Sequence, residues 1–270
     1  MAFADVTSAN VVGYSKLQLN AGGKNMMGSC FVNVGEETMR LTDLKVTGYE
    51  NSEYYLQNVY EFTVTFQRRG NDGMPYATYA YSDTTEDMET WVGGKWYDAM
   101  NGGTEITTEN DVYLKAGSGL WFDTPTLEDC SGFYLTNSGE VLKGDFGFEL
   151  NAGGKIGVCN MMPTPTTLTK LEIHGYEKSE WYLQNVYEFT VTMQSLGNDG
   201  MPLATYAYSD TTEDMETWVG GKWYDAMHGG IEITSENDVT INPGEGFWAD
   251  TPELEDCTQF LMVFPKCLAE

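Results

Sequence analysis

The chain has 270 residues and carries 14 Lys and Arg against 41 Asp and Glu, a formal charge of -27. A balance this acidic repels nucleic acid and anionic membranes, and no apolar run is long enough for a spanning helix. A hydrophobic share of 41% is enough to build cores, and 30 Gly with 13% aromatic residues suits short strands and tight turns.

Residues 1–11, MAFADVTSANV, are polar and partly β-prone. They read as a terminal tail or as a strand offered to a neighbouring molecule. Residues 2–4 have the small-x-small form of a secretory cleavage site but lack the charged and apolar regions before it. Residues 12–19 (VGYSKLQL) and 143–150 (KGDFGFEL) alternate apolar and polar types, as half-buried strands do. Each runs into the same turn sequence, AsnAlaGlyGlyLys, at 20–24 and 151–155. Residues 30–34 read as a further strand, and Pro163 and Pro165 mark the corresponding edge later in the chain as different. Residues 41–49 and 60–67 have the clearest strand pattern. AsnAspGly at 71–73 is a hairpin turn signal, followed by a strand over 76–82 and an acidic loop over 83–89. Residues 91–97, WVGGKWY, are expected to form a hairpin folded on Gly93 and Gly94, with its two Trp facing across it. Short strands follow near 105–106, 112–114 and 117–121, and residues 133–136 close the pattern. Residues 137–140 then read as a linker.

Much of this pattern occurs twice. Residues 41–130 recur at 168–257 with a constant offset of 127, and within that span 71–103 and 198–230 differ at two positions. These are Tyr76 against Leu203 and Asn101 against His228. A repeat of this length is a copied domain, not a solenoid unit. No segment of ten residues has a helical period. The expected fold is therefore all-β: two tandem homologous β-sandwich domains, of jelly-roll or Ig-like type. The first covers 1–139, including the segment 1–11, and the second covers 140–270. One closed barrel per copy is the alternative. Exposed types such as Asp83, Thr84, Thr85, Glu86, Asp87 and Glu89 match between copies as well as the apolar ones do. That points to a surface with a function, although a recent duplication would leave the same trace.

Four chemistries compete for that surface. Catalysis is poorly served: the two histidines, His174 and His228, face Thr47 and Asn101 in the first copy, and no nucleophile or phosphate-loop motif is present. Calcium would suit the oxygen donors Asp83, Glu86, Asp87 and Glu89, with Asp210, Glu213, Asp214 and Glu216 in the second copy. Equally, such a run is a solvated acidic loop. Glycans would suit an aromatic platform of Trp91, Trp96 and Tyr97, with Trp218, Trp223 and Tyr224, whereas Trp121 and Trp248 read as core. Assembly is the leading expectation. It has duplicated surfaces, sheet edges open to a neighbour's strand, and Cys267 without a counterpart, either free or bonded to another chain.

The remaining cysteines suggest closure of each copy, Cys30 with Cys130 and Cys159 with Cys257, or four buried thiols. The composite expectation is a non-enzymatic structural protein of a cell surface, extracellular filament or virion. Its partners would be further copies, other surface proteins or glycans, with calcium as its one candidate cofactor and with neither nucleic acid nor a membrane span.

Overall fold

The computed structural model describes residues 12–53, 64–70, 72–84, 91–130, 132–142, 146–176, 179–180, 190–197, 199–211 and 218–265. Within them the chain is all β, broken only by turns and single 3-10 turns such as Leu41–Asp43 and Leu168–Lys170. No helix among the described residues is long and apolar enough to cross a membrane.

The first half contains β1 (Val12–Asn20), β2 (Lys24–Met27), β3 (Thr38–Arg40), β4 (Lys45–Thr47), β5 (Val64–Arg69), β6 (Pro75–Thr84), β7 (Trp91–Asp98), β8 (Thr104–Glu105), β9 (Tyr113–Lys115), β10 (Leu120–Asp123) and β11 (Gly132–Glu140). The second contains β12 (Phe146–Asn151), β13 (Gly154–Cys159), β14 (Thr166–Thr167), β15 (Glu172–His174), β16 (Thr190–Leu196), β17 (Pro202–Thr211), β18 (Trp218–Asp225), β19 (Ile231–Glu232), β20 (Thr240–Ile241), β21 (Gly246–Thr251) and β22 (Gln259–Phe264). The halves share one plan. Three-stranded sheets run β1-β11-β4 and β12-β22-β15, and six-stranded sheets run β2-β10-β5-β6-β7-β8 and β13-β21-β16-β17-β18-β19.

Each pair of sheets encloses one apolar cluster. In the first half Leu19, Val46, Phe133 and Leu135 from the small sheet meet Phe66, Tyr79, Trp96 and Phe122 from the large one. Alternation puts these residues on one face of each strand, and burying each such side chain contributes roughly 1.5–3 kcal/mol. The boundary between clusters falls between adjacent residues: Val141 belongs to the first core and Leu142 packs against the second.

Four local expectations need correction. Residues 41–49 are not one strand: only Lys45–Thr47 pairs, between 3-10 turns at Leu41–Asp43 and Tyr49–Asn51. Leu41 and Leu44 are both buried in the core, and a 3-10 turn puts residues three apart on one face where a strand would put them on opposite faces. Residues 91–98 form one continuous strand, not a hairpin on Gly93 and Gly94. The reason is packing. A Cβ at Gly94 would collide with the Tyr81 hydroxyl, so the glycine admits a core tyrosine from the neighbouring strand; Gly221 does the same for Tyr208. Residues 137–140 are not a linker, because β11 pairs with β1 along its whole length, from Asn20–Gly132 to Val12–Glu140. Residues 30–34 contribute a single bridge, Val32 to Glu140, and no strand.

The two halves meet through reciprocal contacts. Gly28 N–H donates to the Gly244 carbonyl (2.9 Å), and Cys159 N–H donates to the Gly117 carbonyl (2.8 Å). Gly28 and Cys159 each lie four residues past the Lys of the shared turn, and Gly117 and Gly244 are repeat equivalents. The same bond is therefore made in both directions. The bridges Met27–Glu245 and Ser118–Val158 repeat the relation. Trp121 and Trp248, also equivalents, pack against each other with ring centroids 6.0 Å apart, alongside Met26. The backbones come close enough that Gly119 N–H reaches the Gly157 carbonyl at 2.9 Å. A Cβ on Gly157 would sit 2.6 Å from the Gly119 carbonyl oxygen. Gly157→Val is expected to cost about 1–3 kcal/mol through overpacking, read as a lowered urea midpoint.

Candidate functional site

The aromatic residues of the near-identical block divide sharply. Trp96 and Trp223 are each 2% exposed. Their indole N–H groups donate 2.9 Å bonds to the carbonyls of Leu44 and Leu171 beneath the sheet. They stand edge-on to Tyr81 and Tyr208. As glycan-platform residues these two are corrected: they are core, and their polar atoms are already bonded. Tyr97 and Tyr224 are half-buried on strands β7 and β18. Trp91 and Trp218 begin those strands, and their side chains lie outside the described residues. The same holds for the side chains of Asp83 and Asp210, at the ends of β6 and β17. The other calcium candidates, Glu86, Asp87, Glu89, Glu213, Asp214 and Glu216, lie outside the described residues altogether, as do residues 1–11 and Cys267. Among the described residues no group of three or more His, Cys, Asp and Glu is placed to hold a metal ion.

The expected disulfides Cys30–Cys130 and Cys159–Cys257 are not formed; all four residues are thiols. Geometry explains it. Cys130 directs its sulfur at the carbonyl of Gly132 (2.7 Å) and Cys257 at that of Gln259 (3.0 Å). Cys159 is fully buried against the other half, with its sulfur 3.9 Å from the carbonyl of Ser29. Burial, reinforced by the neighbouring Cys30, pushes the Cys159 thiol well above the ordinary range.

The histidines are both exposed and paired with carboxylates. His174 Nε2 lies 2.8 Å from Glu172, beside a recess of about 400 Å³ lined by Tyr176, Lys222 and Ile233. His228 Nδ1 lies 2.8 Å from Asp225 in a turn. In the first half Asn101 Nδ2 donates to Asp98 at the same distance in the same turn. The Asn101/His228 exchange therefore preserves a turn contact. Tyr76/Leu203, the other difference in the block, has no such equivalence.

Tyr76 leads to a concavity between the halves. A cleft of about 360 Å³ opens between the halves, lined by Gln67, Arg68, Arg69 and Tyr76 of one and Phe148, Glu149, Asn151 and Ile156 of the other. The Trp121–Trp248 pair also lines it, as do Lys115 and Ser118. Arg68 lies over the Tyr76 ring at 5.3 Å, and Arg69 over Trp121 at 4.7 Å. Arg69 donates to the Gly73 carbonyl (2.7 Å) and to Gln67 Oε1 (2.6 Å). Lys115 reaches across to Glu149 at 3.1 Å. Sequence reading missed this site because its two walls come from distant segments. The one signal was Tyr76 as a departure in an otherwise matching block.

No family model and no curated protein matches this chain.

Two measurements check this picture. In the native protein a thiol reagent is expected to label Cys130 and Cys257 well before Cys30 and Cys159, by peptide mapping. Burial alone would raise the Asp225 carboxyl, but the His228 ring and the amides of His228 and Met227 outweigh it and hold it below its ordinary value. A lowered folded value contributes stability above the unfolded pKa of about 3.9, and that contribution is lost as pH falls through the folded value. Asp225→Asn should therefore melt below the native chain at pH 6, by no more than about 1 kcal/mol after screening. The gap should close on acidification.

Proposed function

We propose that this chain is a non-enzymatic structural protein that works by contact, in which two duplicated β-sandwich modules present matching surfaces to further copies or to other structural proteins. The sandwich reading of each half rests on a small and a large sheet sharing one apolar cluster. The observation that carries the functional reading is a set of exposed methionines at equivalent positions of the two halves. Met74 and Met100 are 64% and 56% exposed, and their counterparts Met201 and Met227 are 64% and 51% exposed. In each half both methionines lie at the same end of the large sheet, since β6 begins where β7 ends. Large apolar side chains left exposed toward one end of a sheet favour a protein contact site. Two such places on one chain give it two valences, which allows growth beyond a dimer.

Edge strands add to the reading. The two-residue β8 pairs with the last two residues of β7, Tyr97 and Asp98, and β1 is the outer strand of its sheet. Both suit β-augmentation by a neighbour, including one using residues 1–11. A site outside the cytoplasm, on a cell surface, filament or virion, belongs to the same proposal, as does calcium bound by the acidic 83–89 and 210–216 loops.

Light scattering and negative-stain imaging of the native chain, with and without calcium, test it. Association that rises with concentration is expected. The Met74→Ser/Met201→Ser variant, altered only at exposed positions, should keep its melting temperature and associate about tenfold less tightly, the loss of roughly 1.4 kcal/mol of apolar contact. A native chain that stays a strict monomer at high concentration under both conditions would sink the reading.

A further inference from the structure

We propose that the cleft between the halves is a binding site for one carboxylated sugar residue. Charge is the first argument. The chain has 41 acidic and 14 basic residues, yet this cleft is lined by Arg68, Arg69 and Lys115 against Glu149 alone. Among the described residues no carboxylate lies within ion-pair distance of Arg68 or Arg69. Lys115 is held by Glu149, so the two guanidinium groups are the local excess. Burial of Arg69 weighs against its charge and is only partly offset by Asp123. A planar guanidinium fork is the side chain best matched to a carboxylate.

The second argument is shape. About 360 Å³ lies at the small end of ligand-site volumes and suits one sugar ring. Tyr76 and Phe148 line it as rings, each with one face already under a cation, Arg68 and Lys115, and Gln67, Ser118 and Asn151 offer hydroxyl partners. Tyr76 and the aliphatic parts of the arginines favour a ring-bearing anion over a small inorganic one.

The third argument is the repeat. At the equivalent positions the second half has Ser195 for Arg68, Leu196 for Arg69, Leu203 for Tyr76 and Asn242 for Lys115. All four differ, and each loses a charge or an aromatic ring. One of them is the single unexplained difference in the matching block. A site made this way occurs once per chain, although its scaffold occurs twice.

The second half also supplies test substitutions that its own fold already accommodates. The full chain would be titrated calorimetrically with glucuronate and N-acetylneuraminate, with glucose and acetate as neutral-ring and ringless controls. A saturable site of one per chain is expected for a carboxylated sugar, weakened by salt, with both controls at least about tenfold weaker. Arg68→Ser should keep the native melting temperature and weaken binding about ten- to a hundredfold, as loss of a charged hydrogen bond does; Tyr76→Leu and Lys115→Asn should weaken it less. Absence of saturable binding by either acid, equal binding of glucose, two sites per chain, or full affinity in an Arg68→Ser/Lys115→Asn double variant would overturn the proposal. Melting curves of each variant separate a lost site from a lost fold.

Discussion

The contact on which the rest of the molecule depends is the meeting of each half with its own equivalent. Trp121 packs on Trp248, and the glycine-backed hydrogen bonds run once in each direction. Large aromatic rings bring most of the apolar area, while Gly119 and Gly157 let two backbones approach as closely as neighbouring strands do. Because this seam joins the six-stranded sheets near β2, β10, β13 and β21, it also sets the walls of the cleft. A change at the seam would therefore be felt both in stability and in the spacing of Arg68 and Tyr76 from Phe148 and Asn151.

Much of the fold was legible in the sequence. Alternation located β1 and β6 closely; of the strands expected at 60–67 and 143–150, the parts from 64 and from 146 fall on β5 and β12, and residues 60–63 and 143–145 lie outside the described residues. The AsnAspGly signal lies where the chain turns between β5 and β6, with Gly73 at φ 74°. What failed did so for nonlocal reasons. A GlyGly pair inside WVGGKWY reads as a turn because nothing local reveals the tyrosine hydroxyl that needs the space. Trp96 reads as a surface aromatic because its partner, the Leu44 carbonyl, is 52 residues away in sequence. Position within each copy pairs Cys159 with Cys257, whereas Cys159 is buried against the opposite half. The cleft was invisible for the same reason: periodicity describes one strand at a time and says little about two segments that share a wall.

Acidity has different meanings in different places. Several carboxylates are committed locally. Asp111 and Asp238 accept from Thr42 and Thr169, and Asp129 and Asp256 accept from Ser52 and Ser179, in matching positions of the two halves. For these the acidic side chain organises a turn by satisfying backbone and hydroxyl donors. Few basic residues remain to offset the rest, so the net charge of -27 makes the mean field around the molecule negative. An anion approaching the cleft must cross that field, which makes short-range geometry, not long-range steering, the source of any selectivity there.

The reciprocity of the seam brings equivalent residues together, tryptophan against tryptophan, as an isologous contact between two identical subunits does. Carrying both sides of such a contact on one chain makes the encounter intramolecular and independent of concentration. It also leaves the two sides free to differ. In a symmetric dimer every residue lining the cleft would be mirrored on the other side of the axis, whereas on one chain arginines can be confined to one side while the other keeps serine and leucine.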